Sequence, residues 1–373
     1  MLRHRKFLWK LPSKSFRFLM LKSIWFQYRS RSFKRIRALE VIKLLKNCFI
    51  RNNIYEPNES ARYLVGHIFH MKPNTHCYRY KFDNHYLKFN HIKQLRKLVK
   101  KRLSRVPIQY IIGHWCFYRS DFLLEMKCPV FIPRPETEFL VDVVINNIND
   151  LITNVSENSR NSFKCHVLEI GCGTGAISLA VLKTFSEKFK EKYVSFIAVD
   201  KSLEAVNLTR RNAKNLEVDL FVLHDKLTSS GISKLKSMKF DIIVSNPPYV
   251  CTSEIGHLQP EIKRYEDHCA LDGGEDGLDV VKNILRASEH LLKLRGKILL
   301  EVSLFHPQKI LHILKGNEFP YLELKSIYKD CTERERFVEI IKNTKCHLYA
   351  SGYYWPSFPL QYQWKIMVWP TII

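Results

Sequence analysis

Acidic residues are missing from the start of this 373-residue chain: none precedes Glu40, whereas twelve basic residues do, from Arg3 to Arg37. Those twelve supply half of the formal net charge of +24. Ser13, Ser15, Ser23, Ser30 and Ser32 lie among them, with Leu, Phe and Trp interleaved. An Arg-rich, Ser-containing, acid-free stretch has the composition of a mitochondrial transit peptide. The recurring charge leaves no clean apolar segment, which disfavours a secretory signal. The same composition also suits a disordered basic arm on RNA or anionic lipid. Residues 1–39 are read as a mitochondrial transit-like leader, which implies the matrix.

Other absences narrow the class. No apolar run is long enough to span a bilayer, and no low-complexity stretch or fixed-period repeat occurs. A soluble, ordered protein without a membrane partner is expected. Ten cysteines are scattered from Cys48 to Cys346, and no two form C-x-x-C. His67, His70, His85 and His91 fit no standard zinc spacing. The thiols read as reduced, mostly small core residues, and no metal is expected.

Past the leader, residues 40–125 are mostly helical in pattern, as in "ALEVIKLLKNCFI", "ESARYLVGHIFHM" and "HIKQLRKLVKKRL". They suggest a small helical domain that binds substrate, with Asn58 or Ser60 capping its second helix. Turn formers and short extended pieces run from Val106 to Glu136 and read as a linker or hairpin. Residues 126–150 are assigned to that linker and to the first helix of a catalytic domain. From 151 to 343 strand and helix patterns alternate, which means a mostly parallel, doubly wound α/β sheet. "LELKSIY" and "RFVEII" have no helix between them and should close it as an antiparallel hairpin. This arrangement resembles that of class I methyltransferases. Residues 344–373 form an aromatic extension of no assigned role.

Two motifs carry chemistry. In "VLEIGCGTGAISLAV" a strand runs through Gly171, Cys172, Gly173, Thr174 and Gly175 into a helix. Glycines let a ligand approach the backbone, and a helix N-terminus offers free N–H groups. Asp200 ends the next strand, where a carboxylate would meet ribose hydroxyls. The G-x-G-x-G spacing with Glu169 two residues before it is similar to the S-adenosylmethionine loop of class I methyltransferases. The second motif, "FDIIVSNPPYV", delivers Asn246, Pro247, Pro248 and Tyr249 from a buried strand. A planar amide nitrogen is a poor nucleophile because its lone pair is delocalised. The Asn246 side-chain carbonyl and the Pro247 backbone carbonyl offer acceptors for its two N–H bonds. Prolines stiffen the loop, and Tyr249 presents a flat face.

Three further stretches carry a resemblance: "RVPIQYIIGHWCFYRSDFLL", "VFIPRPETEFLVD" and "ALDGGEDGLDVV". With the two motifs they resemble, in order, the HemK/PrmC family of protein-(glutamine-N5) methyltransferases, over roughly residues 60–342. The resemblance implies S-adenosylmethionine as cofactor and the Gly-Gly-Gln motif of a class 1 release factor as substrate. It implies that Glu169, Gly171 to Gly175 and Asp200 contact the cofactor. It further implies that Asn246 meets cofactor and substrate, and that Pro247, Pro248 and Tyr249 frame the glutamine. Arg134, Pro135, Glu136, Thr137 and Glu138 would line the pocket between domains, although Glu136 equally suits a helix N-terminus. Two departures occur, Glu266–Asp267 for the family's Glu-Pro and Glu301-Val302-Ser303 for its E-I-G. Both are expected away from the methyl-transfer centre, where they would touch substrate docking.

The rival reading is an amino-methyltransferase of adenine or guanine in nucleic acid. The basic body would suit phosphates, but the helical region lacks an aromatic base-stacking platform, so stable nucleic-acid binding is not expected. A silent cofactor-binding assembly factor would suit an altered N-P-P-Y, and the motif here is intact.

Overall fold

The computed structural model describes residues 35–72, 82–156, 163–188 and 193–344. Most of the leader and the tail from 345 onward lie outside the described residues.

The N-terminal lobe is helical because its apolar residues recur at helical spacing. Strands β1 (Ile36–Arg37) and β2 (Tyr86–Leu87) pair antiparallel, and α1 (Ala38–Arg51) buries Ala38, Val41, Ile42, Leu45 and Phe49. Helix α2 (Pro57–Ile68) begins with Pro57, whose fixed φ suits the first turn. Glu56 occupies the N-cap in a left-handed conformation without a side-chain cap. Neither Asn58 nor Ser60 caps the helix as expected, since both fall inside it. Helix α3 (Phe89–Leu103) buries only Leu95, Val99 and Arg102. Helix α4 (Ile108–Ile112) ends at Gly113, which takes the left-handed φ of +85°.

The expected helical domain reaches 125, but the helices stop at Ile112. Strands β3 (His114–Phe117) and β4 (Arg119–Glu125) form an antiparallel hairpin. Phe117, Phe122 and Leu124 pack with Leu140 and Val144 in the core of the catalytic lobe. Trp115 also reaches back to the helical lobe, its ring 4.6 Å from that of Tyr63 on α2.

Helix α5 (Thr137–Thr153) then leads into β5 (Cys165–Ile170), α6 (Ala176–Lys188), β6 (Val194–Asp200), α7 (Leu203–Asn215) and β7 (Phe221–His224). A two-strand flap follows, β8 (Leu227–Thr228) with β9 (Gly231–Ile232), then β10 (Phe240–Ser245) and the short α8 (Pro260–Tyr265). Helix α9 (Asp279–Leu291), β11 (Leu292–Glu301), α10 (His306–Lys315), β12 (Leu322–Lys329) and β13 (Glu335–Lys342) complete the lobe. The sheet order is β7-β6-β5-β10-β11-β13-β12. All pairs from β7 to β11 are parallel, and β13 runs antiparallel to both its neighbours. The closing hairpin is as expected, except that its second strand inserts between β11 and β12. Strand pleating sends Val167 to one face with α5 and α6, and Leu168 and Ile170 to the other with α9 and α10.

The strand order reverses between β5 and β10, and a ligand crevice forms beyond the carboxyl ends at such a switch. Val244 pairs in register with Glu169. The glycine loop and the N-P-P-Y loop therefore leave the sheet side by side.

Candidate active site

The glycine loop is held from below. The N–H groups of Gly171 and Cys172 donate to the Val199 carbonyl at 2.8 and 3.1 Å. All three glycines have positive φ, but they serve different ends. A Cβ on Gly171 or Gly173 would meet nothing within 4 Å, because these residues face open space. A Cβ on Gly175 would lie 2.8 Å from Thr209 Cγ2 and 2.9 Å from Leu179 Cδ1. The first two form a cradle; the third lets α6 and α7 close together.

Carboxylates lock the loop. Asp200 accepts from the Gly173 N–H at 2.9 Å and from the Ser202 N–H at 2.8 Å, and burial raises its pKa. Each oxygen keeps acceptor capacity for a hydroxyl. Ser202 caps α7 by accepting from Ala205 N at 3.3 Å. Glu169 accepts from the Ser178 N–H at 3.1 Å and so ties β5 to α6. Burial pushes its pKa up to about 8.

The cavity above is lined by Glu169, Gly171, Cys172, Gly173, Thr174, Asp200, Asn246, Pro247 and Pro248 from the expected set. Gly175, Arg134, Glu136 and Tyr249 are not in its wall. Phe131 and Thr137 close one side, Asp225 and Leu227 another, and Asp267 and Cys269 a third. Asp225 is not singled out in the sequence, and Asp267 only as a departure from the family pattern. Asp225 had a signal, since it follows β7 as Asp200 ends β6. The lining carries Asp200, Asp225 and Asp267, beside a Glu169 that burial keeps largely protonated, against Lys201 and Lys226. That balance suits a cation, and Gly171 and Gly173 leave room for one to reach the backbone. The sulfonium of S-adenosylmethionine fits both features, with Val199 and Leu227 as apolar wall.

The acceptor loop is fixed at both ends. Ser245 Oγ donates to the Ile170 carbonyl at 2.6 Å, joining the tips of β10 and β5. Val250 N donates to the Leu271 carbonyl, and Gly273 N to the Val250 carbonyl. A Cβ on Gly273 would sit 2.7 Å from the Pro248 oxygen, so glycine is what lets this segment lie against the loop. Asn246 Nδ2 donates to Thr137 Oγ1 at 3.1 Å. With its nitrogen committed there, the amide presents its carbonyl as the free end. Tyr249 points instead behind the loop, beside Glu301 and Arg336, and burial pushes its pKa up to about 12.

The R-P-E-T-E stretch acts mostly through neighbours. One Arg134 guanidinium nitrogen reaches both Glu266 oxygens, at 2.9 and 2.8 Å, and the guanidinium lies over the Phe131 ring at 4.5 Å. Glu136 occupies the N-cap of α5 without a side-chain cap bond. The two departures from the family pattern, expected to be remote, are corrected here. Asp267 lines the cavity, Glu266 anchors Arg134, and Glu301 lies behind Thr137. The folded register of β11 brings Glu301 there. Among the described cysteines all are free; Cys48, Cys116, Cys165 and Cys172 are buried, while Cys128, Cys269 and Cys331 are exposed.

The helical lobe joins the catalytic lobe through ions. Arg102 is 3% exposed. It donates to Glu261 at 2.8 Å, to Ser60 at 3.1 Å and to the Tyr55 carbonyl at 3.0 Å. Arg105 reaches the same Glu261 oxygen at 3.3 Å, and Tyr265 donates to the Ser104 carbonyl at 2.7 Å. Glu261 and Tyr265 belong to α8, which follows the acceptor loop.

Residues 40–113 match the PrmC N-terminal domain and residues 149–259 the methyltransferase small domain. The human MTRF1L release factor glutamine methyltransferase is 37% identical over 306 residues, covering 81% of this chain and 87% of the relative. A release factor glutamine methyltransferase from Thermodesulfovibrio yellowstonii is 34% identical, covering 67% of this chain and 81% of its own. A bifunctional methyltransferase from Rickettsia typhi is also 34% identical, and there the chain spans 53% of the relative's length. Since both domains match in order and the likeness runs through four-fifths of the sequence, the chain belongs to the release factor glutamine methyltransferase (HemK/PrmC) family of S-adenosylmethionine-dependent enzymes.

Proposed function

We propose that the protein transfers the methyl group of S-adenosylmethionine to the side-chain amide nitrogen of glutamine in the Gly-Gly-Gln motif of a mitochondrial release factor. The observation that carries this reading is Asn246, which lines the cavity beside Pro247 and whose amide nitrogen is held by Thr137, leaving its carbonyl to accept. Bound donor supplies an electrophilic methyl group on a sulfonium. Asn246 Oδ1 and the Pro247 carbonyl accept the two amide N–H bonds and orient the nitrogen. The amide nitrogen forms a bond to the methyl carbon as the carbon–sulfur bond breaks. The N–H proton, acidic once the nitrogen is methylated, then leaves to water. Gly171, Gly173 and Asp200 hold the donor, while Arg134 and Glu136 act at the pocket margin. The helical lobe grips the release factor, and the basic, acid-free leader supports delivery to the matrix.

The test is methyl transfer from labelled S-adenosylmethionine by the full-length chain. Substrates are a mitochondrial release factor, its Gln→Ala variant in the Gly-Gly-Gln loop, and mitochondrial RNA and DNA. Label confined to the unaltered factor supports the proposal; label on nucleic acid alone overturns it. Asn246→Ala should lower kcat by about 10²–10³-fold, the scale of losing one preorganised polar contact at a reacting centre, with a much smaller change in donor affinity.

A further inference from the structure

A second layer of polar groups runs from the Thr137 edge of the donor cavity back behind the acceptor loop. Glu301 ends β11 and is wholly buried. Neither of its carboxylate oxygens makes a hydrogen bond within ordinary angular limits. The group that most favours its charged form is the Thr137 hydroxyl, followed by Arg336 on β13 and, more weakly, Arg134; Glu136 opposes them. Tyr249, on the acceptor loop itself, feels the same carboxylate. Thr137 opens α5, is 3% exposed, and accepts from Asn246 Nδ2 at 3.1 Å. A buried carboxylate so sparsely bonded is costly to keep, and a hydroxyl next to it has one proton to give.

We propose that Glu301 is a positioning residue for methyl transfer: its carboxylate draws the single Thr137 hydroxyl proton as a hydrogen bond, so that Thr137 only accepts from Asn246, and the Asn246 carbonyl is held toward the acceptor amide. This rests on the glutamine reading above. The direction of the chain follows from counting donors. When Glu301 is charged it only accepts, so Thr137 donates to it and Asn246 must present Nδ2 to Thr137. When Glu301 is protonated it becomes a donor toward Thr137, and the Thr137 proton is released to face Asn246. The Asn246 amide then gains by turning its oxygen to Thr137, and its NH₂ confronts the two N–H bonds of the substrate amide. Burial pushes the Glu301 pKa up to about 7, so the reversal falls near neutrality. The misaligned Thr137–Glu301 contact is the kind that tightens once substrate is bound.

The experiment measures kcat and KM of the full-length enzyme on the release factor, with saturating donor, from about pH 5.5 to 9. Donor affinity by calorimetry and the thermal midpoint accompany each variant. Wild-type kcat should rise through pH 7 to a plateau. Glu301→Gln should lower the plateau by about 10–100-fold, the scale of an ångström-level misplacement, and flatten the rise. Thr137→Ser should keep the wild-type profile. Thr137→Val should lose it, and adding Glu301→Gln to Thr137→Val should cost little more. Donor affinity should stay within a few-fold in Glu301→Gln, whose side chain is not in the donor cavity wall. A pH profile unchanged in Glu301→Gln overturns the proposal, as do multiplicative losses in the double variant or losses that track donor affinity and melting. A wild-type enzyme that leaves the release factor unlabelled refutes the glutamine reading and this one with it. An active wild type with indifferent Glu301 refutes the positioning role alone.

Discussion

The three glycines of the donor loop should respond to the same substitution in different ways. At Gly175, alanine suffers twice. Its φ of +80° is strained for an L side chain, at about 1–2 kcal/mol. Its Cβ also meets Thr209 Cγ2 and Leu179 Cδ1 at 2.8 and 2.9 Å, an overpacking that costs about 1–3 kcal/mol. Gly175→Ala should therefore destabilise by about 2–5 kcal/mol, or roughly 4–20 °C in a lobe of this size. Gly173→Ala has only the backbone strain, since nothing lies within 4 Å of its Cβ, so its midpoint should drop by no more than about 8 °C. Its added methyl occupies the cradle, and donor affinity should fall clearly. Differential scanning calorimetry and donor titration on both variants separate the two effects. Thr209→Ser, which removes the clashing methyl yet keeps the hydroxyl that donates to the Gly173 carbonyl at 3.0 Å, should recover part of the Gly175→Ala loss. A Gly175→Ala protein that melts like wild type, or one that Thr209→Ser does not help, would refute the packing argument.

Arg102→Ala should cost about 3 kcal/mol by urea denaturation, the low end for a broken buried pair, because Arg105 still reaches Glu261. Stability should also depend on pH through Glu169. Its folded pKa, about 8, lies above the usual 4.5, so between those values the unfolded chain has shed a proton that the folded chain retains. Stability then falls as pH rises from 4.5 toward about 8 and levels off beyond. Urea midpoints across that range should be flatter in Glu169→Gln than in wild type.

Much of this architecture is readable from local pattern. The strand–glycine–helix run around Gly171 and the buried strand leading to Asn246 announce themselves, because burial on both faces demands continuous apolar residues. Tight turns likewise demand glycine. What stays hidden depends on register between distant segments. Thr137 and Asn246 are 109 residues apart in sequence, and nothing local says that one hydroxyl will meet one amide. Glu301 stands out in the sequence only as the start of a departure expected to be remote, until β13 is seen to pair over it. The turn formers around β3–β4 allow a linker or a hairpin, and the hairpin's allegiance to the catalytic core follows only from Phe117 and Leu124 finding partners on α5. Tyr249 looks like a stacking surface in sequence, yet the loop turns its ring toward Arg336.

The insertion of β13 between β11 and β12 has a consequence for how the chain is made. During synthesis β12 emerges first, but its neighbour in the finished sheet is the strand that comes after it. Until β13 arrives, β11 presents an unpaired edge bearing Ile298, Leu299 and Leu300, the kind of edge that invites pairing with other chains. Glu301 remains in water over the same interval, its charge uncompensated by Arg336 and untroubled by burial. The acceptor pocket is thus among the last parts of the molecule to form. A nascent polypeptide that already displays the glycine loop is not yet an enzyme, and the ribosome must deliver almost the whole catalytic lobe before methyl transfer becomes possible.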